Sequence, residues 1–121
     1  VELLNVDCEV RQDALVVRAR GEVDSGTVNE LVAQLGAALR QAAAHPARLL
    51  IVDLQALTYF GSAGLNAVHD CHRRGVEAAT SVRLVADNNL VVRPIEVTNM
   101  DSVLELYPTL ADALGGRHPG K

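Results

Sequence analysis

Along the chain the apolar positions switch between two periods, and the switches mark the elements. Residues 2–9 hold Leu3, Leu4 and Val6 among polar positions, and Arg11-Gln12-Asp13 is a polar turn. Leu15, Val17 and Ala19 then alternate with Val16, Arg18 and Arg20. A period of two on both sides of a short turn predicts an antiparallel pair of strands, the second better buried on one face. From Val28 the period changes, because Val28, Leu31, Val32, Leu35, Ala38, Leu39 and Ala42 recur at three- and four-residue intervals until His45-Pro46. That stripe predicts an amphipathic helix lying on the sheet and ended by the proline. Thr27-Val28-Asn29-Glu30 has the spacing of a capping box at its start, with Asp24 and Ser25 as rival caps.

The second half is organised by the run Leu49-Leu50-Ile51-Val52-Asp53-Leu54. Apolar residues on both faces predict a buried strand over 48–54, handed by a short loop to a helix running from Ser62 to about Arg74. Ser62 is the natural N-cap of that helix, Gly64, Ala67, Val68, Cys71 and Gly75 form its inner side, and Gly75 suits the position just past its end. Residues 81–86 read as a further strand, and strand, helix, strand implies a parallel crossover. In 87–100, Asp87-Asn88-Asn89 offers caps while Pro94 resists a helix interior; a helix beginning at Pro94 reconciles the two. Residues 103–107 fit a short edge strand and 108–114 a last helix stopped by Gly115-Gly116, which leaves 117–121 as a disordered tail. The pattern is that of an α/β protein with one domain over 1–116, a mixed β-sheet of four to five strands and helices packed mainly on one face.

Composition narrows the function classes. At 121 residues the chain supports one core, and with 49% hydrophobic and 21% charged residues it lies in the ordinary globular range. No apolar run approaches the ~20 residues of a membrane span. A formal charge of −4 with scattered basic residues argues against a nucleic-acid partner, and one Phe, two Tyr and no Trp make no base-stacking platform. Cys8 and Cys71 are too few for a disulfide scaffold and form no CxxC pair, and no targeting segment is visible, so the cytoplasm is the expected compartment. A regulatory Cys8–Cys71 bond requires Cα atoms within about 7 Å.

Candidate chemistry centres on Ser62. A capping serine is worth roughly 1 kcal/mol with no other role. Gly61, Ala63 and Gly64, however, leave the hydroxyl uncovered and open to another macromolecule. Phe60-Gly61-Ser62-Ala63-Gly64 misses the G-x-S-x-G elbow of hydrolases, since Phe60 stands where the first glycine is needed and the chain is too short to supply the remaining triad. No convergent acid, base and nucleophile indicates an enzyme. His69 and His72 lack a third ligand at metal-binding spacing, and no phosphate-binding glycine loop is present, so no metal or cofactor is expected.

The run from Asp53 to Leu65, ending Tyr59-Phe60-Gly61-Ser62-Ala63-Gly64-Leu65, resembles the signature of the STAS family, the domain of anti-sigma factor antagonists and of sulfate transporter tails. Gly21-Glu22-Val23-Asp24 resembles a second motif of that family, at the end of its second strand. The resemblance implies a single STAS-like domain that binds an anti-sigma factor, often itself an ATP-dependent serine kinase, and thereby releases a sigma factor. It implies that Ser62 is the phosphorylation site, that Gly61, Ser62, Ala63, Gly64 and Leu65 form the partner-binding surface, and that Glu22 and Asp24, on the same edge of the domain, are candidate partner contacts. Gly61 stands where the family usually has an acid. That departure leaves open an antagonist that is not phosphorylated and binds constitutively or answers to the redox state of Cys8 and Cys71; a separate rival is a STAS module that binds a small anion or nucleotide at the helix N-terminus.

Overall fold

The computed structural model describes residues 3–116, and the expected tail at 117–121 lies outside the described residues. The elements in order are β1 (Leu4–Val10), β2 (Leu15–Val23), α1 (Val28–Ala43), β3 (Leu49–Phe60), α2 (Ser62–Glu77), β4 (Ser81–Val85), α3 (Asn89–Val97), β5 (Glu105–Tyr107) and α4 (Leu110–Gly115), with a 3-10 turn at Met100–Ser102 before β5. The strands form one mixed sheet in the order β1-β2-β3-β4-β5. β1 and β2 are antiparallel, and every later neighbouring pair is parallel.

Alternation along the strands divides the core. Leu15, Val17, Ala19 and Val23 of β2 and Leu50, Val52, Leu54, Leu57 and Phe60 of β3 face α1, α2 and α3, and make the main core with Leu31, Leu35, Val68, Val91 and Ile95. The opposite residues Val16, Leu49, Ile51, Val85 and Tyr107 make a smaller core under α4, around Ala113. The helices thus lie mainly on one face, as the pattern predicts, and the short α4 covers part of the other.

Several boundaries differ from the sequence reading, each for a packing reason. β3 does not stop at Leu54; it continues to Phe60 beside β2. The pairing shifts by one residue between Arg18 and Arg20 and again between Gly21 and Glu22. Two bulges therefore convert the inward period from two to three, placing Leu54, Leu57 and Phe60 inside, and that spacing imitates a loop. Gly21 sits at this irregular stretch with φ of 105°, where an added Cβ would lie 2.2 Å from the Leu3 carbonyl oxygen. Gly75 is not a terminal glycine but a buried position inside α2, where a Cβ would stand 2.6 Å from Val82 Cγ2 and 2.7 Å from the Thr80 carbonyl oxygen. Val32 is exposed beside the main stripe of α1. Pro94 lies within α3 rather than at its start, because the side chain of Asn88 accepts from the Val91 amide at 3.1 Å and begins the helix earlier. Pro94 then forgoes one helical hydrogen bond.

Candidate functional site

The parallel strands β2 and β3 end side by side, and this places the two sequence motifs together. Glu22 pairs with Tyr59 and Val23 with Phe60 across the ladder, and the Gly61 amide donates to the Val23 carbonyl at 3.1 Å. The junction between β3 and α2 is thus tied to the loop that follows β2. Gly61 is extended and caps α2, its carbonyl accepting from the amides of Gly64 at 3.0 Å and Leu65 at 3.1 Å. The amides of Ser62 and Ala63 are first-turn donors with no intrahelical acceptor.

Ser62 is therefore the first helical residue and not the N-cap that its spacing suggests. No side-chain cap closes this helix, and among the described residues the Ser62 hydroxyl has no hydrogen-bond partner. The residue is exposed at the start of a sixteen-residue helix. Its uncovered position follows from its neighbours: Gly61 and Ala63 are half-buried and carry too little side chain to reach over it.

Gly64 and Leu65 are buried, so they support this surface from below rather than contributing contacts to it. A Cβ at Gly64 would lie 2.8 Å from Phe60 Cε1 and 2.8 Å from Val23 Cγ1, so the absence of one lets α2 descend onto the ends of β2 and β3. Leu65 belongs to the main core. The outward surface is Gly61, Ser62 and Ala63, and beside it stands Tyr59, half exposed, whose ring edge would be 3.1 Å from a Cβ added at Gly61. Sequence reasoning passed over Tyr59. The available signal was a lone outward aromatic in a chain with two Tyr and one Phe.

The loop after β2 holds itself together. Asp24 Oδ1 accepts from the amides of Gly26 at 2.8 Å and Thr27 at 3.0 Å, and Thr27 Oγ1 donates to the Glu22 carbonyl at 2.8 Å. The capping box is not formed, since Thr27 caps no amide of α1 and Glu30 instead accepts from Gln34. Asp24 thus spends one carboxylate oxygen on its own turn, while Glu22 stays half-buried opposite Tyr59.

The cysteines are not joined. Cys8 is exposed on the edge strand β1, whereas Cys71 is buried in α2, and both are free. Burial pushes the Cys71 thiol up to about 12 and raises Cys8 more modestly, which keeps both protonated and poorly nucleophilic near neutral pH. His69 and His72 share α2 but, among the described residues, no three His, Cys, Asp or Glu side chains converge as a metal-binding set.

Residues 5–113 match the family model of the STAS domain. The chain belongs to the STAS domain family. Its relatives include the anti-sigma-F factor antagonist RsfB of Mycobacterium tuberculosis, 29% identical over 106 residues that span 88% of this chain and 83% of RsfB. The crystal structure of an anti-sigma factor antagonist from Mycobacterium paratuberculosis superposes with a TM-score of 0.84 at 30% identity, covering 93% of this chain and 92% of that one. The anti-sigma factor antagonist SpoIIAA in its unphosphorylated form shares the fold, with a TM-score of 0.70 at 19% identity over 93% of this chain and 98% of SpoIIAA. In this STAS domain the two motif regions, 21–24 and 53–65, meet at the C-terminal ends of two interior strands through the β2–β3 ladder.

Proposed function

We propose that this STAS domain is an anti-sigma factor antagonist: it captures an anti-sigma factor over Gly61, Ser62 and Ala63, with Tyr59 and Glu22 at the margin, and so frees a sigma factor. Phosphorylation of Ser62 switches it off. The observation that carries this reading is the exposed, unpartnered hydroxyl at the first position of α2. The likeness to two mycobacterial antagonists supports the choice of partner.

In the switch, the anti-sigma factor acting as a serine kinase transfers the γ-phosphoryl group of ATP to Ser62 Oγ, which loses its proton as ADP departs. The added group carries about −1.5 to −2 charge, and the first-turn amides and the positive end of the helix dipole accommodate it without unfolding α2. A partner packed on Gly61 and Ala63 must instead desolvate that charge, at a cost of several kcal/mol unless it is paired. A loss of about 4 kcal/mol turns a micromolar complex into one near the millimolar range.

The test mixes the purified domain with purified anti-sigma factors and ATP, reading complex formation by calorimetry and phosphate on Ser62 by mass spectrometry. Wild type and Ser62→Ala should bind alike, and only wild type should gain phosphate. Ser62→Asp should bind at least tenfold more weakly. Equal capture by Ser62→Asp would overturn the switch, and no complex with any anti-sigma factor would overturn the antagonist reading itself.

A further inference from the structure

Away from Ser62, a groove of about 470 Å³ opens between α3, the turn before β5, and the end of β5. Its floor is apolar: Val92, Leu104, Leu106, Tyr107 and Pro108 line it, together with Ala86 at the end of β4. The volume falls in the range of sites that bury a compact ligand or a few side chains. Three carboxylates stand at its rim, each from a different element: Asp87 in the loop after β4, Glu96 one helical turn beyond Val92 on α3, and Asp101 in the 3-10 turn. Among the described residues no Arg, Lys or His lines the groove. None of the three carboxylates takes part in an ion pair or hydrogen bond among the described residues.

Part of the remaining acidic surface differs, although Glu22, Asp24, Glu30 and Asp112 likewise form no ion pair among the described residues. Asp7 and Glu9 are paired with Arg20 and Arg18, and Asp70 and Glu77 with Arg73, so this chain commonly neutralises its acids locally. At the groove it does not. Three carboxylates around an apolar concavity favour a cationic occupant over a neutral or anionic one. The apolar floor, for its part, rewards a side chain that brings hydrocarbon into it.

We propose that this groove binds a short basic segment of a protein partner, seating an apolar side chain on Val92, Leu104 and Leu106 while flanking Arg or Lys side chains meet Asp87, Glu96 and Asp101. The site is independent of Ser62, so it recognises its partner whether or not Ser62 is modified.

The test is a titration of the isotope-labelled domain with the peptide acetyl-Arg-Leu-Leu-Arg-amide, followed by amide chemical shifts. A control peptide replaces both Arg with Gln. Saturable shifts confined to residues around Val92, Glu96, Leu104 and Leu106 are expected for the basic peptide. The control, and the basic peptide on the D87N/E96Q/D101N variant, should bind about tenfold or more weakly, and raising the salt should erode the difference. The three acids are exposed and their carboxylates make no hydrogen bond or ion pair among the described residues, so the variant keeps its fold; an unchanged amide spectrum outside the groove checks this. Absent saturation, equal binding of both peptides, equal binding by the variant, or shifts centred elsewhere would each overturn the proposal.

Discussion

Gly64 and Gly36 both lie inside helices that pack on the sheet, yet replacing each with alanine should move stability in opposite directions. Removing a glycine from a helix interior gains roughly 0.5–1 kcal/mol in either case, through the smaller entropy loss on folding. At Gly36 nothing opposes the gain, since the nearest atom to a new Cβ is Arg40 Nη1 at 3.7 Å, the far end of an exposed side chain. At Gly64 the new Cβ meets Val23 Cγ1 and Phe60 Cε1 at 2.8 Å and Phe60 Cδ1 at 2.9 Å. Both neighbours are buried, with Val23 wholly so and Phe60 5% exposed, so neither can swing away. Overpacking of this kind typically costs 1–3 kcal/mol. Gly64→Ala should therefore lose about 1 kcal/mol net and Gly36→Ala gain about 0.5–1 kcal/mol, the gap between them being the overpacking cost alone. Urea unfolding followed by far-ultraviolet circular dichroism measures both, and a gap of 2 kcal/mol corresponds to roughly 8 °C in Tm for a domain of this size. In a Val23→Ala background the cost of Gly64→Ala should be smaller than in the wild type, because one of the groups that the new Cβ strikes is already gone. If Gly64→Ala proves as stable as Gly36→Ala, α2 does not rest on β2 and β3 as closely as described, and the placement of Ser62 falls with it.

Two further outcomes test other links. Asn88→Ala should lose about 1–2 kcal/mol in urea unfolding, because the side chain both caps α3 through the Val91 amide and donates to the Gln55 carbonyl at 3.1 Å; Asn88→Asp, which keeps the cap acceptor, should lose less. Cys71 titrates at about 12 when folded against an ordinary value of 9.0, so above pH 9 the unfolded chain releases a proton that the folded chain retains. Stability from this thiol is thus fully present below pH 9 and declines between pH 9 and 12, with a limiting slope of about 1.4 kcal/mol per pH unit. Cys71→Ala should flatten that part of the profile. A thiol reagent should correspondingly label Cys8 in the native protein and reach Cys71 only on unfolding.

The alternating and helical periods in the sequence determined which residues form the antiparallel pair, which face of α1 and α2 is buried, and that small residues leave Ser62 open. These are local properties, set by how often an apolar residue recurs and by the bulk of its immediate neighbours. The tertiary structure decided what depends on a second segment. The length of β3 required β2 beside it, because the bulges that keep Leu54, Leu57 and Phe60 inward exist only in the ladder. The role of Gly75 required Thr80 and Val82 pressed against it, and the start of α3 required the Asn88 cap to prevail over Pro94. Tyr59 beside Gly61, and the three acids round the groove, come from residues whose spacing along the chain carries no shared period. A sequence pattern records contacts within one element; a site assembled from several elements becomes visible only when the chain has closed on itself.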